Sequence, residues 1–389
     1  MNVTGVITEY NPFHNGHKYH IEEARRLTTA DYIVAVMSPD YVQRGVPAMI
    51  DKHTRANMAL AAGVDLVLEL PVCYATGSAE YFANGAISIL DTLGTVNYCC
   101  FGSEQGTLDH FIEIAEILLT EPPAYQDSLK MFLKNGDSFP AARKKALCMN
   151  HNSNWAEFLA APNNILGLEY CKKLKQLQSS ITPITIKRIE NDYHDQELSN
   201  QVSSATAIRR KLEDTADISA LSQQIPTSAF QVLTKALEKT GIINEDDFSL
   251  LLKYKLMCET QESLTNYMDV SISLAHRITN LLNEFHSFSQ FANLLKTKEL
   301  TRTRINRALL HILLNIHQPA PITHIRALGF RESAKPLLTA IKGTCKLPFV
   351  TKVDRHIYDP FAANLYESTA CIKYNRSFAH EFSKSLIKY

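Results

Sequence analysis

The feature that most constrains this chain is the ten-residue run Thr8-Glu9-Tyr10-Asn11-Pro12-Phe13-His14-Asn15-Gly16-His17. Residues 3–7 before it are uncharged and largely β-branched, the composition of a buried strand. Residues 18–27 after it place apolar and charged side chains at helical spacing, and Asn11-Pro12 marks a turn. The local prediction is therefore strand, tight loop, helix. His14 and His17, three residues apart at the helix start, share one face. Such a helix is expected to direct unpaired backbone N–H groups and its positive dipole end at a ligand, and Gly16 lets a phosphate or flat ring come close. At this composition an H-x-G-H string is expected by chance roughly 0.02 times per chain. The alternative for these residues is a turn whose histidines only cap a helix.

The following segments repeat that rhythm. Residues 32–37 and 64–70 form apolar runs, as does 96–101, and all three read as buried parallel strands. Helical patterns over 51–61, 76–93 and 107–119 separate them, and residues 38–45 form a loop on the ligand side of the second strand. Strands alternating with helices of this length predict an α/β fold, a Rossmann-like doubly wound parallel sheet. Between 121 and 162 the rhythm stops; residues 124–134 and 139–149 read as an inserted helical pair that could cover the site. Pro162-Asn163-Asn164 opens another helix, and residues 182–189 form a fifth strand ending near Lys187 and Arg188. Ser203-Ser204-Ala205-Thr206-Ala207-Ile208-Arg209 then sets hydroxyls at a helix start with a guanidinium beyond them, a suitable cradle for phosphate.

Past residue 215 strand alternation does not return. Residues 229–238, 246–259, 262–285, 287–296 and 300–316 read as helices, and residues 322–330 begin a small further unit. The expected domains are residues 1–212, nucleotide-binding, and 213–389, mainly helical. Charge divides along the chain although the net formal charge is zero. Residues 1–120 carry 6 Lys and Arg against 14 Asp and Glu, whereas residues 296–355 carry 12 against 3. A basic segment in a neutral chain suits a polyanion docked on one region. Arg302, Arg304 and Arg307 crowd the start of one helix, against its dipole, so an external anion is expected to offset them. The eight cysteines include no C-x-x-C pair and read as reduced core thiols rather than a metal site. There is no charged segment followed by an apolar run at the start and no apolar window of about 18 residues, so a cytoplasmic protein without a membrane span is expected.

Further motifs narrow the comparison. The H-x-G-H run and Ser-Ser-x-x-x-Ile-Arg (203–209) resemble the two signatures of the nucleotidyltransferase superfamily. Residues 5–20, V-M-S-x-x-Y-V-Q-R-G-x-P-A (36–48), A-G-V-D-L-V-L-E-L-P (62–71), F-G-S-E (101–104), P-N-N-I-L-G-x-E-Y (162–170) and T-R-T-R-I-x-R (301–307) together resemble the tRNA(Met) cytidine acetate ligase family. The resemblance runs from Val3 to about Gly329. It departs at Ser38-Pro39-Asp40, where a Gly-containing tip is usual, and at Val46, where Glu is usual.

The resemblance implies an ATP-dependent ligase that forms acetyl-adenylate from acetate and ATP. It then acetylates the exocyclic amine of the wobble cytidine of elongator tRNA(Met). It further implies catalytic roles for His14, His17 and Arg209. ATP contacts are implied for Ile7, Thr8, Glu9, Tyr10, Asn11, Pro12, Phe13, Asn15, Gly16, His20, Gly102, Asn164, Arg188, Ile189, Ser203, Ser204 and Thr206. Mg²⁺ is expected with the triphosphate, with no all-protein metal cage and no stable protein partner. Arg302, Arg304, Arg307 and Arg326, with Lys335, are the tRNA-backbone candidates, and Arg44, Lys52 and Arg55 are further candidates for tRNA backbone or polyphosphate. Two other readings remain: an adenylyltransferase joining AMP to a phosphorylated metabolite, and a non-catalytic RNA-binding protein on a nucleotide fold.

Overall fold

A computed structural model describes residues 1–151, 155–188, 204–214, 218–353 and 360–389. Its sheet begins with β1 (Val3–Thr8), β2 (Tyr32–Met37), β3 (Leu66–Glu69), β4 (Tyr98–Ser103) and β5 (Thr182–Lys187). These five are parallel, in spatial order β3-β2-β1-β4-β5. The side-chain alternation of each strand sends its residues to two separate cores. Val34, Val36, Leu66 and Leu68 join one core, while Ile33, Ala35, Met37 and Val67 join the other. The first core is closed by α3 (Ala79–Leu93), α4 (Asp109–Thr120) and α7 (Pro162–Gln176). The second is closed by α1 (Asn15–Thr28), α2 (Lys52–Ala61), α8 (Ala205–Asp214) and α9 (Thr227–Thr240). Burial on both faces is what makes the strands read as uninterrupted apolar runs. The inserted pair α5 (Pro123–Lys134) and α6 (Phe139–Asn150) lies where the sequence places it.

The C-terminal region departs from the sequence expectation in two respects. It is mostly helical, through α10 (Ser249–Met257), α11 (Ile272–Leu281), α12 (Phe288–Leu294), α13 (Arg302–Leu313), α14 (Lys335–Thr344) and α15 (Phe361–Tyr374). Strands nevertheless return: β6 (Ile325–Phe330) pairs antiparallel with β3, and β7 (Phe349–Val350) and β8 (Ile387–Lys388) run parallel to β6. Every residue of β6 is buried, so its Arg326 and Gly329, which look like surface and turn residues in sequence, belong to the sheet. The helix expected over 262–285 is also broken. Asp269 turns left-handed at φ 66°, and Ser271 then caps α11 through the Leu274 amide. All eight cysteines are free; four are buried, and Cys258 is exposed rather than in the core.

Candidate functional site

Strand order reverses between β1 and β4, and the carboxyl ends of the strands there form the crevice in which open α/β sheets bind ligands. The loop between β1 and α1 fills one side of it. His14 is the N-cap of α1: its Nδ1 accepts from the Gly16 amide at 3.1 Å, and His17 Nδ1 accepts from the His14 amide at 3.2 Å. Both histidines therefore do cap the helix, and capping settles their chemistry. With each Nδ1 an acceptor, the proton of the neutral ring sits on Nε2, which becomes a donor. The rings lie 3.7 Å apart between centroids, tilted by 31°, with His17 against Tyr10 and Phe13, which are buried and 4.7 Å apart.

Burial holds the His14 imidazole down to about 3, with Arg188 and Arg209 adding to the effect. Burial likewise holds His17 well below its ordinary value, and brings His20 to about 4 with Arg188 contributing. All three are neutral at pH 7. His20 Nε2 is buried without a hydrogen-bond partner among the described residues. One expectation is corrected here. The first amides of α1 are not open to a ligand: Asn15 N–H donates to the Gln224 carbonyl at 2.9 Å, Gly16 N–H to His14 Nδ1, and His17 N–H to the His14 carbonyl. The helix offers its dipole and the imidazole donors instead.

The other elements converge on this pair. Ile7 and Thr8 end β1; Glu9 accepts from the Gln43 amide at 2.8 Å, and Asn11, on a cis peptide to Pro12, accepts from the Met49 amide at 2.9 Å. From α8, Arg209 donates to the Asn11 carbonyl at 2.8 Å and to the Thr206 hydroxyl at 3.0 Å, drawing that helix onto the loop. Ser204 caps α8 by accepting from the Ala207 amide at 3.1 Å. Ile189 and Ser203 lie outside the described residues. Gly102 lies under Arg188, whose Cγ would stand 3.3 Å from an added Cβ. Asn164 is fully engaged as a brace. It accepts from the Glu104 and Gln105 amides at 3.1 and 3.2 Å and donates to the Phe158 carbonyl. Glu104, which the sequence motif includes without a role, accepts from the Asn164 amide at 3.0 Å and the Asn163 side chain at 2.7 Å. A carboxylate at the start of α7 is where the helix dipole favours one. Among the described residues no group of three or more His, Cys, Asp or Glu could hold a metal ion. No described helix is long and apolar enough to cross a membrane.

The proposed backbone cations separate into two sets. Lys52, Arg55 and Arg326 are 1%, 0% and 6% exposed and do not suit contact with an external polyanion. Lys52 Nζ lies 2.7 Å from Glu69, 3.0 Å from Glu381 and 3.6 Å from Asp40; Arg326 reaches Glu69 and Glu381, both at 2.6 Å. Arg55 donates to the carbonyls of Glu9, Ser38, Pro39 and Ile50, clamping the two ligand-side loops together. Their partners lie in other elements, 16 residues away for Arg55 with Pro39 and 257 for Arg326 with Glu69, and local sequence does not display them. The remaining cations lie on or near the surface. Arg304 and Lys335 are exposed, Arg302 is half-buried against Asn293, Asn306 and Glu245, and Arg307 is paired with Asp269 at 2.8 Å. The α13 arginines are thus offset largely from within the chain. Arg44 stands beside Arg307 on the wall of an open cleft of about 530 Å³ that also reaches Thr206.

The chain matches the model of the HIGH Nucleotidyl Transferase family over residues 1–383. It is 38% identical to the tRNA(Met) cytidine acetate ligase of Clostridium novyi (strain NT) over 390 residues, 98% of this chain and 97% of that protein. Apo Thermotoga maritima TmcAL superposes with a TM-score of 0.94 at 32% identity, covering 100% of both chains. The same Thermotoga maritima protein bound with alpha-thio ATP superposes with a TM-score of 0.91. The chain is a member of the HIGH nucleotidyl transferases and, within them, of the tRNA(Met) cytidine acetate ligase family.

Proposed function

We propose that this protein binds ATP at the crevice beside His14 and His17, forms acetyl-adenylate, and transfers the acetyl group to the wobble cytidine of elongator tRNA(Met). One observation carries the reading: a pair of neutral histidines with Nε2–H donors, flanked by Arg188 and Arg209, sits where the strand order reverses. Neutral donors beside two guanidiniums cost little in the empty site and suit a polyanion that brings its own charge. In the first step an acetate oxygen attacks the α-phosphorus, the bond to the bridging oxygen breaks, and pyrophosphate leaves with the electron pair. His14 and His17 donate to oxygens on which charge accumulates, and Arg209, Ser204 and Thr206 hold the departing phosphates. Mg²⁺ would arrive with the triphosphate, since the described residues supply no carboxylate cage for it. In the second step the cytidine exocyclic amine attacks the acetyl carbon, the carbon–oxygen bond to phosphate breaks, and AMP leaves as a proton passes to solvent. The exposed Arg304, with Arg302, Arg307 and Lys335, forms the backbone-binding surface.

Pyrophosphate exchange into ATP tests the first step. It should require acetate and should drop at least a hundredfold in Arg209→Leu. Exchange that proceeds equally without acetate would overturn the proposal. The metabolite adenylyltransferase reading leaves the α13 surface without a task, and no observation favours it.

A further inference from the structure

The open 530 Å³ cleft is lined by residues from several separate elements. Two adjoining walls come from the ligand-side hairpin (Tyr41–Val42 with Val46–Pro47) and from α13, and Gly45 lets them meet. Gly45 has φ +73°, and a Cβ there would stand 2.3 Å from the Arg307 amide nitrogen and 2.6 Å from its Cα. The hairpin therefore lies directly against the α13 backbone, which brings Gln43 and Arg44 opposite Thr303 and Arg307. Asp269 holds Arg307 by its Nε at 2.8 Å, so this guanidinium is oriented. The third wall is the start of α7, where Ile165 and Leu166 give an apolar surface and Glu104 fixes Asn163. The floor reaches Thr206, which is two hydrogen bonds, through Arg209, from the loop bearing His14.

These walls match the parts of one nucleotide: an apolar face for the base, amide and hydroxyl groups for its edges, and two guanidiniums for flanking phosphates. The volume falls within the roughly 300–1,000 Å³ range of small-ligand sites, far beyond what acetate needs. A base in a single-stranded loop can be unstacked and inserted at modest cost. We propose that this cleft seats the acceptor cytidine, extruded from the RNA loop, with Arg44 and Arg307 on its flanking phosphates. The inference rests on the functional reading above and adds the place from which the exocyclic amine approaches the acyl-adenylate.

Thr303→Trp tests it, because Thr303 is exposed on α13 and lines the cleft, so a bulkier side chain there takes up its volume. Acetate-dependent pyrophosphate exchange and single-turnover acetyl transfer to tRNA would be measured in parallel. The expected result is a fall of at least tenfold in transfer, with exchange and the KM values for ATP and acetate within twofold of wild type. Ala79→Trp, at the start of α3 and also lining the cleft, should give the same split; intact exchange also shows that both variants are folded. Unimpaired transfer in both variants would overturn the assignment. So would a parallel loss of exchange with a raised KM for ATP or acetate, which would make the cleft part of the adenylation site. A wild-type protein lacking acetate-dependent exchange would instead refute the functional reading itself, and the acceptor assignment with it.

Discussion

Replacing Lys52 by Met should destabilise the protein by about 3–5 kcal/mol while leaving tRNA affinity of the folded fraction unchanged. The Lys52 ammonium is 1% exposed and faces Glu69 at 2.7 Å, Glu381 at 3.0 Å and Asp40 at 3.6 Å. At an effective dielectric of about 20, each contact near 3 Å contributes about 5–6 kcal/mol. Desolvation of the ammonium, which the Met variant avoids, offsets much of that sum. The larger cost is what remains: Glu69 and Glu381 share Arg326, with the His53 ring 3.1 Å from Glu381, while buried Asp40 loses its ion pair with Lys52. In the wild type, the neighbouring cations hold Glu69 and Glu381 below the usual carboxylate range against the upward push of burial. Without Lys52 they are less firmly held, and protonation relieves the repulsion. Urea unfolding followed by circular dichroism should therefore show the full deficit at pH 7 and a smaller one at pH 5. Lys52→Met/Glu69→Gln should recover part of it. A deficit below about 1 kcal/mol, or a fully stable variant with weakened tRNA binding, would refute the assignment of Lys52 to a structural network.

Further expectations follow from the same geometry. His17→Ala removes a donor and half of the helix cap, and should lower adenylate formation by about 10²–10³-fold while costing about 1 kcal/mol of stability; activity within tenfold of wild type would contradict it. Stability should fall on acidification below pH 6.5, because His14, His17 and His20 stay neutral in the fold while their unfolded counterparts bind protons. His14 alone contributes up to about 2 kcal/mol by pH 5, readable as a urea midpoint, and ATP should change that dependence. Gly45→Ala combines an unfavourable positive φ with overlap on the α13 backbone, and should cost more than about 1 kcal/mol in thermal or urea unfolding. The charge reversals Arg302→Glu, Arg304→Glu and Arg307→Glu together should weaken tRNA binding and flatten its salt dependence while adenylate formation persists; unchanged affinity would remove α13 from the RNA surface.

Much of the fold was legible in sequence because its signals are local. The uncharged run before Thr8, the Asn11-Pro12 turn and the apolar 32–37 segment each depend only on near neighbours, and both strands appear at those places. What was not legible depends on distant contacts. Ile325–Phe330 contains an Arg and a Gly, and its identity as a strand comes from pairing with Leu66–Glu69 and from Ile387. Lys52, Arg55 and Arg326 look like surface cations until Glu69, Glu381 and the loop carbonyls are brought around them. At the site, sequence indicates which histidines and arginines meet but not how they are used. That the amides of α1 are already bonded, and that the imidazoles donate through Nε2, follows only from Gln224 and from the reciprocal cap.

The most direct test of the central claim is nucleoside mass spectrometry of elongator tRNA(Met) after incubation with the protein, ATP and acetate. The account predicts N4-acetylcytidine at the wobble position, absent when ATP or acetate is withheld and lost in His17→Ala. Acetate-dependent pyrophosphate release with no modified cytidine, or an AMP-containing dinucleotide in its place, would contradict it.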